Sequence, residues 1–163
     1  YLLAYLPNIE LFTLTIFLSG FILGKRDGMI VGFFSSFIFS TFNPIGASPL
    51  PLLLFQLTHY SIIGLIGALT NGVLKNRSFF TQDEDLYKMS VMVIFGFIGA
   101  IITTSFQVFS SLVHVLSFLG SIDAFLPYFL SGIPFTIVHI LGNTLGFIFI
   151  LPGIIPLIKK MLN

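Results

Sequence analysis

The sequence predicts an all-α integral membrane protein, a single transmembrane domain over residues 1–163 built as a six-helix bundle. Two observations predict this class. Of the 163 residues, 56% are hydrophobic and only 8% are charged, whereas soluble domains carry about 25% charged residues. Moreover, apart from Glu10 and Asp123, the seven Lys and Arg and six Asp and Glu fall in three clusters that separate apolar segments. Since a charge in hydrocarbon is costly, such clusters mark the ends of membrane helices.

The first half of the chain divides into three apolar segments. Residues 9–23 and 29–42 are joined by a short polar stretch, which predicts a helical hairpin with a turn over residues 24–28. Residues 43–51 contain three Pro and one Gly and predict a loop. Residues 52–74 are then long enough to span a bilayer.

The second half begins with a helix start signal. Thr81 and Glu84 have the spacing of a capping box ahead of an apolar run, which predicts a helix from near Leu86 to about Phe118. The segment 125–158 follows, with Asp123 as its expected N-cap. Pro127 is expected in the first turn of this helix, and Pro134 is expected to kink it.

Two further expectations concern the membrane arrangement. Residues 1–6 are apolar and end at Pro7, which predicts the outer end of a further helix, so that six spans are expected with the first truncated. If successive segments cross the membrane in alternating directions, all seven Lys and Arg lie on one side. The positive-inside rule identifies this side as cytoplasmic, and the C-terminus lies there as well. The loops near Pro7, at 43–51 and at 120–123 then lie outside.

Several functional classes are excluded or disfavoured. The net charge of +1 leaves no basic surface for nucleic acid, and the absence of Cys removes disulfides and thiolate chemistry. No catalytic motif is found, and the stretch GFILGK lacks the spacing and the Ser or Thr of a phosphate-binding loop. We therefore expect no enzyme activity and no cofactor, and any ATP hydrolysis would belong to partner subunits.

Small residues recur at helical spacing in two segments. Such faces allow close helix approach in lipid. They predict internal packing with a turn at Gly24 and Gly28, or alternatively a docking face for a partner helix. The residues concerned are Gly20, Gly24, Gly28, Gly32, Gly64, Gly67 and Ala68.

Polar side chains inside apolar segments are the candidates for function, because placing a polar group in hydrocarbon is energetically costly. Three segments carry a polar stripe in their outer halves, and together these stripes predict a hydrated pocket that opens to the outside and binds a small polar molecule. The candidate substrate-binding residues are Asn8, Glu10, Asn43, Gln56, His59, Tyr60, Gln107, Ser111, His114, His139 and Asn143.

Each candidate also has a structural interpretation. A His on an apolar face can serve as a hydrogen-bonded packing residue, and the three His lack the spacing of a metal site, so no metal is predicted. Asn8 can cap a helix with Glu10 in its first turn, and Asn43 can end one.

Three stretches resemble the substrate-binding S components of energy-coupling factor transporters, the vitamin importers of bacteria and archaea. They are LPNIELFTLTIFLSGFILGKRDGMIVG, NPIGASPLPLLLFQ and SGIPFTIVHILGN, and the likeness covers nearly the whole chain. It implies six helices in a prokaryotic plasma membrane, with both termini cytoplasmic and with the loops around Asn8 and at 43–51 as lids of the site.

The resemblance also implies a mechanism. An S component binds a water-soluble vitamin or micronutrient tightly and topples in the membrane when it docks on a transmembrane coupling protein and two cytosolic ATPases. Glycines 20, 28 and 32 could serve this docking. Nickel- and cobalt-specific members carry an N-terminal His that this chain lacks or has lost, so the resemblance implies a corrin, a pterin or another organic vitamin rather than a bare ion. The alternatives are a structural membrane subunit of the cell-envelope shape-determining kind, without a substrate, and a secondary transporter, for which no inverted repeat is found.

Overall fold

The computed structural model describes residues 10–44, 46–81 and 86–162, and the regular structure within these ranges is entirely helical. Three helical stretches are long and apolar enough to cross a membrane: Leu50–Leu74, Met89–Leu119 and Ile133–Leu162. An all-α, multi-pass membrane protein is thus confirmed as the class. The helix predicted over residues 1–6 lies outside the described residues.

In chain order the helices are α1 (Phe12–Leu23), α2 (Lys25–Thr41), α3 (Leu50–Leu74), α4 (Met89–His114), α5 (Phe125–Ser131), α6 (Ile133–Leu145) and α7 (Leu151–Leu162).

The turn between α1 and α2 is shorter than predicted. Gly24 alone separates the helices, with φ +96°, a backbone conformation that side chains other than glycine rarely adopt. Helix α2 begins immediately at Lys25, so that Lys25, Arg26 and Asp27 form its first turn. The prediction of a five-residue polar turn was therefore wrong, because one residue in the left-handed region reverses the chain.

Helices α1, α2 and α3 pack through their glycines. A Cβ atom on Gly20 would meet the backbone of Gly64, one on Gly64 would meet the backbone of Gly28, and one on Gly32 would meet the carbonyl of Tyr60. The backbones are therefore in direct contact, as small residues permit in lipid. Of the two interpretations of the small-residue pattern, internal packing is the one observed for these glycines.

Helix α4 begins later than the capping box predicted. Its N-cap is Lys88, with no side-chain hydrogen bond to the first turn, so the assignment of Thr81 as N-cap was wrong. The preceding residues are held by tertiary contacts instead. Leu86 is buried in the core, and the hydroxyl of Tyr87 donates to the carbonyl oxygen of Phe149 at 2.7 Å. These anchors keep residues 86–88 out of the helix.

The last long segment is interrupted at Gly132 rather than kinked at Pro134. Pro134 lies in the first turn of α6, where its missing N–H costs nothing. The prediction of Asp123 as N-cap was wrong, because Ser121 caps the 3₁₀ turn Ile122–Ala124 that leads into α5, with its Oγ accepting from the Asp123 N–H at 3.2 Å. A π-helical turn at Gly146–Ile150 joins α6 to α7 without a break.

The core is aromatic. Phe17, Phe21, Phe95 and Phe147 are each fully buried, and the ring of Phe17 meets that of Phe147 edge-on at 5.1 Å between centroids. Many other large apolar side chains face outward, where lipid would solvate them. They include Phe34, Phe97 and Phe149.

Helices α1 to α4 alternate in direction, and α6 with its continuation α7 runs opposite to α4, which gives the bundle two different ends. One end, which we call the basic end, carries Lys25, Arg26, Lys75, Arg77, Lys159 and Lys160. There the Asn71 side-chain amide donates to the carbonyl oxygen of Phe21 at 2.7 Å, which ties α3 to α1. The opposite end, which we call the Glu10 end, brings the start of α1 close to α4 and α6.

Candidate ligand-binding site

The centre of the Glu10 end is a hydrogen-bond network around the carboxylate of Glu10. Its Oε2 accepts from the backbone N–H of Thr13 at 2.8 Å, which caps the first turn of α1. Its Oε1 faces the Nδ2 of Asn143 at 2.9 Å and the Nε2 of His139 at 3.4 Å. One side chain thus joins α1 to α6 and satisfies donors on both.

Helix α4 enters the network through two side chains. Asn143 Nδ2 also donates to the Oγ1 of Thr103 at 3.0 Å, and that hydroxyl donates in turn to the carbonyl oxygen of Gly99 at 2.8 Å. One turn further along α4, Gln107 Nε2 lies 3.0 Å from His139 Nδ1. We call Glu10, Thr103, Gln107, His139 and Asn143 the Glu10 network. Thr103, His139 and Asn143 are buried, and the bonds that Thr103 makes lie away from water, where a hydrogen bond is strong.

Aromatic rings pack beside the network, in the space between α3, α4 and α6. Phe106 is the common partner, with its centroid 5.3 Å from His59, 5.7 Å from Phe55, 5.8 Å from Tyr60 and 6.0 Å from His139. Tyr60 is buried. The polar side chains of the Glu10 end are therefore set in an aromatic, water-poor surrounding.

Two polar atoms on α3 have no hydrogen-bond partner within the described part of the chain. They are the Oε1 of Gln56 and the Nε2 of His59, and both are buried. A buried polar atom left unsatisfied costs about 1–3 kcal/mol. Because proteins rarely accept that cost without a reason, these two atoms are candidates for contact with a bound molecule.

A polar cavity of about 390 Å³ opens at the same end of the bundle. It lies between α4, α5 and α6, with Leu52 of α3 at one side, and Gln107 belongs both to its wall and to the Glu10 network. Among its described lining residues none is charged. The polar ones are Gln107, Ser110, Ser111, His114, Tyr128, Ser131 and Thr136, and the other ring-bearing ones are Phe129 and Phe135.

The structure brings most of the sequence-predicted site residues to the Glu10 end, in three groups. Glu10, Gln107, His139 and Asn143 share the network, Ser111 and His114 line the cavity, and Gln56, His59 and Tyr60 lie on α3 nearby. Asn43 lies apart in the loop after α2, where its carbonyl oxygen accepts from the Gly46 N–H. Asn8 lies outside the described residues.

Sequence reasoning missed several side chains of the site, among them Thr103, Phe106 and Tyr128. Thr103 precedes Gln107 by four residues and so shares its helical face, which was a usable signal. Phe106 and Tyr128 gave none, because aromatic residues are spread throughout the chain. Tyr128 is identified only by its position, with its ring stacked on His114 at 4.7 Å and 12°.

No group of three or more His, Asp or Glu side chains in the described ranges could hold a metal ion. Glu10 and His139 face each other, and their remaining partners are the amides of Asn143 and Gln107 and the N–H of Thr13. Amide and hydroxyl groups suit the recognition of an organic molecule by hydrogen bonds.

Comparison with known proteins yields no relative. The sequence matches no protein-family model, and no curated protein and no solved structure is significantly similar to it. What the site does must therefore be inferred from its geometry and chemistry.

Proposed function

We propose that this protein is the substrate-binding S component of an energy-coupling factor importer in the plasma membrane of a prokaryote. In this role it captures a water-soluble vitamin or related micronutrient from outside the cell. The observation that supports the proposal is the Glu10 network, which joins three helices and continues through Gln107 into the polar cavity.

A binding role explains features that helix packing alone does not require. A protein that only holds helices together needs neither a polar cavity nor unpartnered polar atoms beside it. Gln56 Oε1 and His59 Nε2 lie on α3 one and two turns beyond Leu52, which lines the cavity. Binding a polar molecule in this region would satisfy atoms whose burial is otherwise unfavourable.

The orientation in this proposal follows from charge. The basic end faces the cytoplasm, since Lys and Arg are retained on that side of a membrane. The Glu10 end then faces outward, so that the cavity receives its ligand from the external solution. Within the described ranges, Glu10 and Asp123 are the charged residues that lie away from the basic end.

The energy for transport comes from partner subunits in this proposal. The chain carries no phosphate-binding loop, and two cytosolic ATPases acting through a transmembrane coupling protein would supply ATP hydrolysis. Gly20, Gly28 and Gly32 are buried between α1, α2 and α3. Docking on the coupling protein therefore falls to the apolar outer surface of the bundle rather than to these glycines.

Co-purification tests the proposal directly. The detergent-solubilised protein, expressed in its own host, should retain a small molecule that mass spectrometry detects after denaturation, and gentle affinity capture should recover two ATPases and a membrane coupling protein. Recovery of scaffold proteins of the cell envelope with no small molecule would instead support a structural subunit. Thermal-shift screening against a full vitamin panel provides the independent measurement, and a flat response throughout would refute the proposal.

A further inference from the structure

The two ring nitrogens of His139 face different hydrogen-bonding groups. A carboxylate only accepts hydrogen bonds, so the His139 Nε2 that faces Glu10 Oε1 must carry a proton. The other ring nitrogen, Nδ1, faces the Nε2 of Gln107, which only donates. With the amide in this orientation, Nδ1 is the acceptor and Nε2 the donor, so one arrangement of the ring satisfies both contacts.

The contact with His139 turns the Gln107 amide oxygen away from the ring. Because its Nε2 is turned to His139, its Oε1 points to the other side of the amide carbon. No described residue donates to Oε1, and Gln107 belongs to the wall of the cavity. The Glu10 network thus holds a hydrogen-bond acceptor in position for a molecule in the cavity.

The cavity provides no charge to balance a charged ligand. None of its described lining residues is Asp, Glu, Lys or Arg. The carboxylate of Glu10 already accepts from Thr13, His139 and Asn143. Burying an ion without a counter-charge is strongly unfavourable, so this site discriminates against ions of either sign.

Aromatic rings supply the rest of the wall. His114 and Tyr128 are stacked nearly parallel, with 4.7 Å between ring centroids, and together they connect α4 to α5. Phe129 and Phe135 line the same cavity. Such surfaces favour a flat ring, which can stack on one face or meet an edge.

From these four observations we infer that the polar cavity takes an uncharged molecule with a flat ring and at least one N–H or O–H group, which donates to Gln107 Oε1. The inference rests on the proposed function and specifies the ligand class of that same site. It makes Gln107 a specificity-determining residue that His139 and Glu10 position.

Four probes with one phenyl ring separate charge from hydrogen-bond donation. Benzamide is neutral and donates, N,N-dimethylbenzamide is neutral without a donor, benzoate is an anion and benzamidine is a cation that donates. Binding to the full chain in lipid nanodiscs is measured by calorimetry or saturation-transfer NMR. We expect benzamide to bind at least about tenfold more tightly than each of the other three.

The result can overturn each part of the inference separately. Benzoate or benzamidine binding as tightly as benzamide would overturn the requirement for a neutral ligand, and equal binding of the dimethyl compound would overturn the requirement for a donor. Binding of none of the four would overturn the aromatic site itself. These comparisons use the unmodified chain, so they hold even where a variant fails to fold.

A variant tests the role of Gln107. In Gln107→Leu the preference for benzamide over N,N-dimethylbenzamide should disappear, whereas Thr58→Val should keep it, because the Thr58 hydroxyl is exposed and bonds only its own helix. An unchanged preference in Gln107→Leu would contradict the inference. A charged co-purified vitamin would refute the inference and leave the proposed function standing. A benzamide preference without any retained vitamin or ATPase partner would support the ligand class and refute the proposed function.

Discussion

Glu10 performs two tasks with its two carboxylate oxygens. Oε2 caps α1 through the N–H of Thr13, and Oε1 accepts from Asn143 and His139 on α6. Glu10 can therefore act both as a favourable group in the first turn of a helix and as a residue of the candidate site. The same carboxylate that starts α1 also orders the side chains which reach the cavity.

Asn143→Leu should weaken both the fold and ligand retention. The change removes the donor shared by Glu10 Oε1 and Thr103 Oγ1, so we expect the free energy of unfolding to fall by about 1–3 kcal/mol. Asn71→Leu is the matched control, because it removes a comparable hydrogen bond at the basic end. Thermal unfolding in detergent and mass spectrometry of the retained ligand provide the readouts. Equal ligand retention by the two variants would contradict this role for Asn143.

Gln56→Leu should separate binding from stability. Oε1 of Gln56 is buried without a partner, so replacing the amide by an apolar group of similar size should leave the thermal unfolding midpoint unchanged or raise it. If the atom contacts a bound molecule, ligand retention should nevertheless fall. A variant that is destabilised and retains the ligand fully would show that Gln56 is a packing residue.

At the level of the helices, the bundle contains two groups that pack in different ways. Helices α1, α2 and α3 meet backbone to backbone through glycines, whereas α4 and α6 meet through side chains, including those of the Glu10 network. The first group leaves no room between helices and the second leaves a cavity. A tight three-helix unit therefore supports one side of the site, and the more open α4, α5 and α6 enclose it.

Gly64→Ala should test the close packing, with Gly72→Ala as its control on the same helix. A Cβ at position 64 would meet the backbone of Gly28, while one at position 72 would meet nothing within 4 Å. We expect Gly64→Ala to lose about 1–3 kcal/mol or more of stability, since backbone cannot move aside as a side chain can. Gly72→Ala should be neutral or stabilising by up to about 1 kcal/mol. Similar unfolding midpoints for the two variants would show that the helices do not approach so closely.

At the scale of the whole molecule, the distribution of charge matches the arrangement of the helices. The Lys and Arg residues gather at the basic end, and the hydrogen-bonded polar side chains of the site gather at the other. The outer face between these ends is apolar, with Phe34 and Phe97 more than half exposed. Such a surface is suited to lipid, which leaves the two ends as the regions in contact with water.

Single cysteines should report which end is external, because residues 1–163 contain none. Ala47 is exposed in the loop between α2 and α3, and Ser78 is exposed at the basic end. In intact cells, a membrane-impermeant maleimide should label Ala47→Cys and should label Ser78→Cys only after permeabilisation. The opposite pattern would reverse the proposed orientation and would place the cavity on the cytoplasmic side.

The sequence alone determined the class of the protein, the approximate extent of its apolar segments and most of the polar side chains at the Glu10 end. Those properties follow from composition and local spacing. Charges are excluded from hydrocarbon, and polar residues that share one face of a helix recur at its period of three to four residues, which can be read from the sequence. Thus Gln107, His139 and Asn143 could be selected as candidates from their positions in the chain.

Only the tertiary structure decided which of these side chains meet. Glu10 contacts residues about 130 positions away, and no local pattern encodes such a contact. The start of α4 was mispredicted for the same reason, since Leu86 and Tyr87 are held by distant partners that outweigh a nearby capping signal. The glycine face likewise became internal packing because α3 brings Gly64 against Gly20 and Gly28, a proximity that arises from the folding of separate helices against one another.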